Sequence, residues 1–295
     1  MDHQALRSSD ANAHTLEERA AHVRARANWM RQRLLKMIVD AGQGHPGGDL
    51  SASDIVACLY FDILRIDSAN PSASERDRFI LSKGHCTGAL YTALAGAGFF
   101  PEAELDTYLK PESRLNGHPN RVYLPGVETN TGPLGHGFPV GVGVAVAGQI
   151  DSAGYRVFVL TGDGELQEGQ IWESLVSAAN WKMGEITVVV DHNKIQSDYS
   201  LQRTSSLGDL VAKFSAFGWH VERIDGHDTA GIEASFRKLN AIADRPKGVE
   251  VLQKPFTQSM LESALSRIVG GGMLQAINGG AFSAARGPSA TKRAT

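Results

Sequence analysis

Cysteine is scarce in this 295-residue chain: only Cys58 and Cys86 occur. Both lie among apolar or small residues without the CxxC spacing of a redox or metal pair, so they read as reduced thiols in a core or lining a site, as in a reducing compartment. An excess of charge is missing too: 29 basic against 32 acidic residues leave a net −3. That balance gives no reason to expect nucleic acid or an anionic membrane as partner. Any anion must be held by a local site. The apolar runs are no longer than a strand and are broken by glycine, so a spanning helix is not expected. Residues 1–20 carry acids among their bases and have no apolar core, which argues against a signal peptide and makes the cytoplasm the expected location. Internal repeats are absent. What remains, 42% hydrophobic and 21% charged residues, suits one large α/β domain with appendages.

The stretch from Val157 to Asp198 organises the rest. An apolar run, Val157 to Leu160, stops at Gly162-Asp163-Gly164; a helical pattern follows, then a second apolar run from Ile186 to Val190. This is a strand, a helix and a parallel strand. A right-handed crossover brings both strand ends to one edge of the sheet, so Asp163 and Asn193 converge there. A carboxylate with an amide oxygen makes a hard site, suited to Mg²⁺ or Ca²⁺ and poorly to zinc.

Upstream, residues 1–14 read as a loose arm. Thr15 and Glu18 form a capping box, and Leu16, Ala20, Val23, Ala27, Met30, Leu34 and Ile38 continue at helical spacing to Asp40. Gly42 to Gly48 reads as a loop too rich in glycine for regular structure, with His45 as its one imidazole, either a plain loop histidine or a group beside a ligand. Ser51 and Asp54 are read as caps of a second helix with Ile55, Leu59 and Ile63 inward. The strand Phe79–Ser82 is followed by Lys83-Gly84-His85 and a small-residue helix from Thr87 to Gly96, either a plain turn or a diphosphate seat at a helix N-terminus. His118 lies in a third glycine-histidine loop, 114–119. Thr131 to Gly137 opens a helix in which Gly137, Gly141, Gly143 and Gly148 predict that a cofactor or another chain packs very close. The central helix buries Ile171, Leu175, Ala178 and Ala179 and carries Glu165, Glu168 and Glu173, either solvated acids or site groups. A loop over 194–198, a helix over 207–217, strands over 219–224 and 249–252 and a helix over 229–243 complete the pattern: a doubly wound, mainly parallel sheet with helices on both faces.

GDGELQEG from Gly162, followed by DHN from Asp191, resembles the thiamine diphosphate motif. AGQGHPGG (41–48), RFILSKGHCTGALY (78–91), LNGHPN (115–120), GVETNTGPLGHG (126–137) and KFSAFGWHVERIDGHD (213–228) together resemble transketolase, in particular the separate N-terminal subunit of split bacterial transketolases. The resemblance runs from about Thr15 to Pro246. It implies thiamine diphosphate and Mg²⁺ (or Ca²⁺), the metal held by Asp163, Asn193 and the carbonyl of Ile195. It places His85, Gly164, Glu165, Glu168 and Asn193 about the cofactor and Gly132, Pro133 and Leu134 against its rings. His45, His85 and His118 then surround the reacting carbon and the sugar hydroxyls, and Glu168, implied as catalytic with them, lies with Glu173 at a subunit interface.

In that family the glutamate facing the pyrimidine belongs to the C-terminal half, so the resemblance implies a partner subunit in an α2β2 assembly acting on sugar phosphates. The sequence departs from the family after Pro246. No histidine follows His227, 247–269 reads as an atypical strand and helix, and 270–295 reads as a disordered tail. Two alternatives stay open: a non-catalytic subunit that keeps cofactor contacts, and a related carboligase with a sulfo- or deoxy-sugar donor.

Overall fold

In a computed structural model, residues 15–252 except Asp198 and Arg245 are described. The expected arm over 1–14, the helix over 258–269 and the tail lie outside them. The capping box forms as expected: Glu18 Oε2 accepts from the Thr15 amide at 2.7 Å and Thr15 Oγ1 from the Glu18 amide at 3.2 Å, opening α1, Leu16–Ala41. The next helix, α2, Pro46–Cys58, corrects the loop expectation. Proline at the first helical position lacks only an amide that the helix would leave unbonded anyway, so Pro46 starts the helix inside the glycine run. Ser51 and Asp54 are therefore buried in the helix rather than capping it. The helix closes in a π turn, Leu59–Ile63.

Five parallel strands follow the pattern of the apolar runs: β1, Arg78–Leu81; β2, Val157–Gly162; β3, Ile186–His192; β6, His220–Asp225; and β7, Lys247–Leu252, in the order β1-β2-β3-β7-β6. A short hairpin, β4, Ile195–Gln196, with β5, Tyr199–Ser200, occupies the stretch expected as a loop. The remaining helices are α3, Thr87–Gly96; α4, Gly137–Ile150; α5, Gly169–Asn180; α6, Leu201–Ser205; α7, Leu210–Ala216; and α8, Thr229–Asn240.

Alternation along the strands sorts the two faces. Phe79, Leu81, Phe158, Leu160, Val189 and Val251 join the core under α1, α2, α3 and α8. Ile80, Val157, Val159, Ile186, Val188 and Val190 join the core under α4, α5 and α7. Helices thus cover both faces, as predicted. Among the described residues no helix is long and apolar enough to cross a membrane.

The glycines of α4 have a different cause from the one expected. A Cβ at Gly141 would stand 2.5 Å from Val159 Cγ2, and one at Gly148 2.8 Å from the Tyr155 ring, so it is the chain's own strand and turn that press against the helix. Only Gly143 faces open space.

Candidate active site

The carboxyl edge of β1, β2 and β3 carries the chemistry, as expected for a parallel sheet. Asp163 stands just past β2, nearly fully buried. Its Oδ1 accepts the Gly164 amide at 2.7 Å and its Oδ2 the Lys194 amide at 2.7 Å. The second of these bonds joins the ends of β2 and β3. Lys194 adopts φ 64°, which turns the chain so that its amide reaches the carboxylate. Beside it, Asn193 Oδ1 accepts the Ile195 amide at 2.9 Å. Burial raises the Asp163 pKa, the Asp191 charge adds to this, and the two amides oppose it. The carboxylate comes from the turn after β2 and the Asn193 amide oxygen and Ile195 carbonyl from the turn after β3, which the Lys194–Asp163 bond draws together, and every candidate ligand is oxygen. Such a set fits a hard divalent cation. The geometry is held by backbone donors before any ligand arrives.

Glu165 points inward. It sits in a 3₁₀ turn, Gly164–Gln167, rather than on α5, and its carboxylate accepts from Ser82 Oγ at 2.5 Å, the Gly135 amide at 2.8 Å and the Gly162 amide at 3.0 Å. One side chain thus ties three loops together: those after β1 and β2 and the one before α4. Burial raises its pKa against these donors. Glu168 is exposed at the N-cap of α5, against Gly135, and Glu173 is exposed on α5.

The histidine loops meet at the same edge. The rings of His45 and His85 lie edge to face with centroids 5.3 Å apart. A Cβ at Gly132 would stand 2.9 Å from the His118 ring, and one at Gly84 2.6 Å from the Gly132 amide, so His118, Gly132 and the His85 turn are packed together. Gly132 has φ 150°, a conformation open chiefly to glycine. Burial pushes the His85 pKa down to about 4, helped by Lys83, His45 and His118; burial and then His118 lower that of His45. His85 is neutral at physiological pH and can both donate and accept. Pro133 and Leu134 are exposed on the same segment, and Thr131 before them is buried with an Oγ1 that has no hydrogen-bond partner among the described residues.

Sequence reasoning missed the support beneath this edge. Lys83 and Asp191 form a fully buried ion pair at 2.6 Å, and Ser51 Oγ donates to the other Asp191 oxygen at 2.7 Å. Lys83 Nζ also reaches the Gly48 carbonyl at 3.5 Å. The pair stitches the ends of β1 and β3 to the start of α2, and the Asp191 charge raises the Lys83 pKa against its burial. Both residues stand inside the motifs SKGH and DHN. Nothing in the spacing says that they meet.

Residues 23–253 match a family model described as the transketolase, thiamine diphosphate binding domain. The chain belongs to the transketolase family. It is 39% identical over 216 residues to one subunit of the apulose-4-phosphate transketolase of Phocaeicola vulgatus, covering 73% of this chain and 76% of that protein. It is 39% identical over 231 residues to the SqwG subunit of the 6-deoxy-6-sulfo-D-fructose transketolase of a Clostridium species, covering 78% and 84%. Among solved structures, transketolase from Leishmania mexicana aligns with a TM-score of 0.72 at 29% identity over 79% of this chain. Transketolase from Campylobacter jejuni aligns at 0.74 and 26% over 83%. Only 36% and 42% of those two chains are matched, so this chain spans well under half of each. In kind it is a transketolase N-terminal subunit, the thiamine diphosphate-binding side of a transferase. The family match runs through β7, past Pro246.

Proposed function

We propose that this subunit joins a C-terminal partner subunit, in an α2β2 assembly in the cytoplasm, to move a two-carbon ketol unit from a ketose phosphate to an aldose. The observation that carries the reading is the shared edge: an oxygen-only set of Asp163, Asn193 and Ile195 from the turns after β2 and β3, beside three packed histidine loops. In the proposal those oxygens would hold Mg²⁺, and Gly164 and His85 would bind the diphosphate of the cofactor. Thiamine diphosphate, when bound, supplies the carbon nucleophile that takes up the ketol unit. This chain's residues bind and orient. Asp163 stays ionised against its burial once a cation is present, His85 donates to the diphosphate from its neutral form, and His45 and His118 face the sugar hydroxyls and exchange protons with them. Gly132, Pro133 and Leu134 lie against the rings, and Glu168 stands at the subunit boundary.

The need for a partner is supported by the comparisons. Proteins named as subunits are matched over 76% and 84% of their length, whereas complete transketolases are matched over about a third to two fifths. It is also supported by the outer flank of α4, where Val140 is 40% exposed and Gly143 meets nothing within 4 Å. A different sugar donor remains a second reading, favoured by the relative named for 6-deoxy-6-sulfo-D-fructose, which matches as well as the apulose-4-phosphate one.

Co-expression with a C-terminal transketolase subunit, Mg²⁺ and thiamine diphosphate, assayed across ketose phosphates and sulfo- or deoxy-ketoses, tests all of this. Turnover only with both chains is expected, and the best donor names the branch. Cofactor binding without turnover on any donor would leave a regulatory subunit instead.

A further inference from the structure

Helix α3 begins without a cap of its own: Cys86 holds the N-cap position and its side chain bonds nothing in the first turn. The leading amides of a helix need acceptors. Here the acceptor arrives from another helix. Asp49 of α2 accepts the Ala89 amide on Oδ1 at 2.9 Å, and a Cβ on Gly88 would lie 2.9 Å from its Oδ2. Asp49 has no exposed surface, and its Oδ2 has no hydrogen-bond partner among the described residues. A buried acid with an idle oxygen costs stability. Neither the core nor the metal loop has a use for it.

Its place in the chain gives it one. The Asp49 amide donates to the His45 carbonyl at 3.1 Å, and its carbonyl accepts from Ser53 Oγ at 2.8 Å, so its backbone is fixed in the first turn of α2. At the preceding residue, Gly48, a Cβ would stand 2.5 Å from Cys86 Sγ and 3.5 Å from His85 Nε2. Its carboxyl group meanwhile fixes the helix that follows His85 and Cys86 directly. One residue therefore grips the His45 loop by its backbone and the His85 loop by its side chain. We infer that Asp49 is a positioning residue which, by capping α3 from α2, holds the His45 and His85 imidazoles in their edge-to-face relation. Lys83, Cys86 and Tyr108 face it, and burial raises its pKa to about 7 against the Ala89 amide, the Lys83 charge and the Gly88 amide. The inference rests on the assignment of these two imidazoles to the reaction, but its test does not.

The test uses the full-length chain labelled with ¹⁵N-histidine, without cofactor or partner, titrated by proton–nitrogen NMR. In Asp49→Ala the two loops part, water reaches His85, and its midpoint rises from about 4 by at least one pH unit, a tenfold change in proton affinity. The ring-to-ring Overhauser contact with His45 weakens in parallel. Asp49→Asn keeps an acceptor for the Ala89 amide and is expected to restore both signals. A folded Asp49→Ala variant with both titrations and the contact unchanged overturns the inference, as does an Asn variant that shifts as far as the Ala one. Should Asp49→Ala fail to fold, Gly88→Ala crowds the same oxygen while leaving Asp49 in place. It is expected to raise the His85 midpoint, and an unmoved midpoint overturns the inference.

Discussion

Asp163 is already satisfied by two amides before any cation is present, and this decides what its loss does. Asp163→Ala removes the one carboxylate of the proposed oxygen set, yet the Gly164 and Lys194 amides it leaves can turn to water at the sheet edge. The expected outcome is a folded chain whose Mg²⁺-dependent binding of thiamine diphosphate is lost in calorimetry, and unchanged binding would refute the metal assignment. Asp49, with one oxygen unbonded among the described residues, behaves differently. The folded pKa of Asp49 is raised to about 7 from 3.8, so its contribution is fully present below about pH 4 and is lost as pH rises through 7. The size is on the order of a few kcal/mol as an upper bound. Asp49→Asn cannot ionise, so relative to the native chain it should gain stability progressively between about pH 4 and 7 in urea melts, and a constant difference across that range would show that the acid is not buried as described. The two acids also mark what sequence could and could not reveal. Asp163 was legible because a parallel crossover must return both strand ends to one edge. Asp49, Lys83 and Asp191 were not, because their partners lie 40 and 108 positions away and are chosen by packing.

At the scale of elements, α4 separates two reasons for a helical glycine. At Gly141 an added methyl meets Val159 in the sheet, whereas at Gly143 it meets nothing. Gly141→Ala should therefore cost about 1–3 kcal/mol by overpacking, and Gly143→Ala should gain about 0.5–1 kcal/mol in the isolated chain by helix propensity. Thermal melts of the two variants should move in opposite directions; a parallel shift would mean that the sheet does not set the approach of α4. The sequence marked these glycines as signs of close packing but could not say against what, since the neighbour strand lies outside the helix's own periodicity. The same limit explains α2. Glycine content argued for a loop, yet Pro46 at the first helical position and the buried contacts of Ser51 and Asp54 outweigh it. By contrast, the capping box of α1 was readable because it is satisfied within three residues.

At the scale of the whole molecule, the proposed reading gives this chain half of a site. The oxygen cluster at Asp163 and the histidine loops converge on one edge, while Val140, Leu134 and the open flank at Gly143 lie bare on the segment that leads from that edge into α4. If a partner covers this flank, a charge placed there should harm assembly far more than folding. Val140 is already 40% in water, so Val140→Asp costs the isolated chain little beyond helix propensity, within about 0.5–1 kcal/mol. A carboxylate desolvated in a chain–chain contact costs several kcal/mol, a hundredfold or more in affinity. Sedimentation of the native chain with its C-terminal partner is expected to show a 2:2 species that Val140→Asp abolishes at the same concentrations, with ketol transfer lost in step and the melting temperature of the isolated chain nearly unchanged. A variant that assembles and turns over normally would move the interface away from α4, while a native mixture that forms no complex would refute the two-chain reading itself.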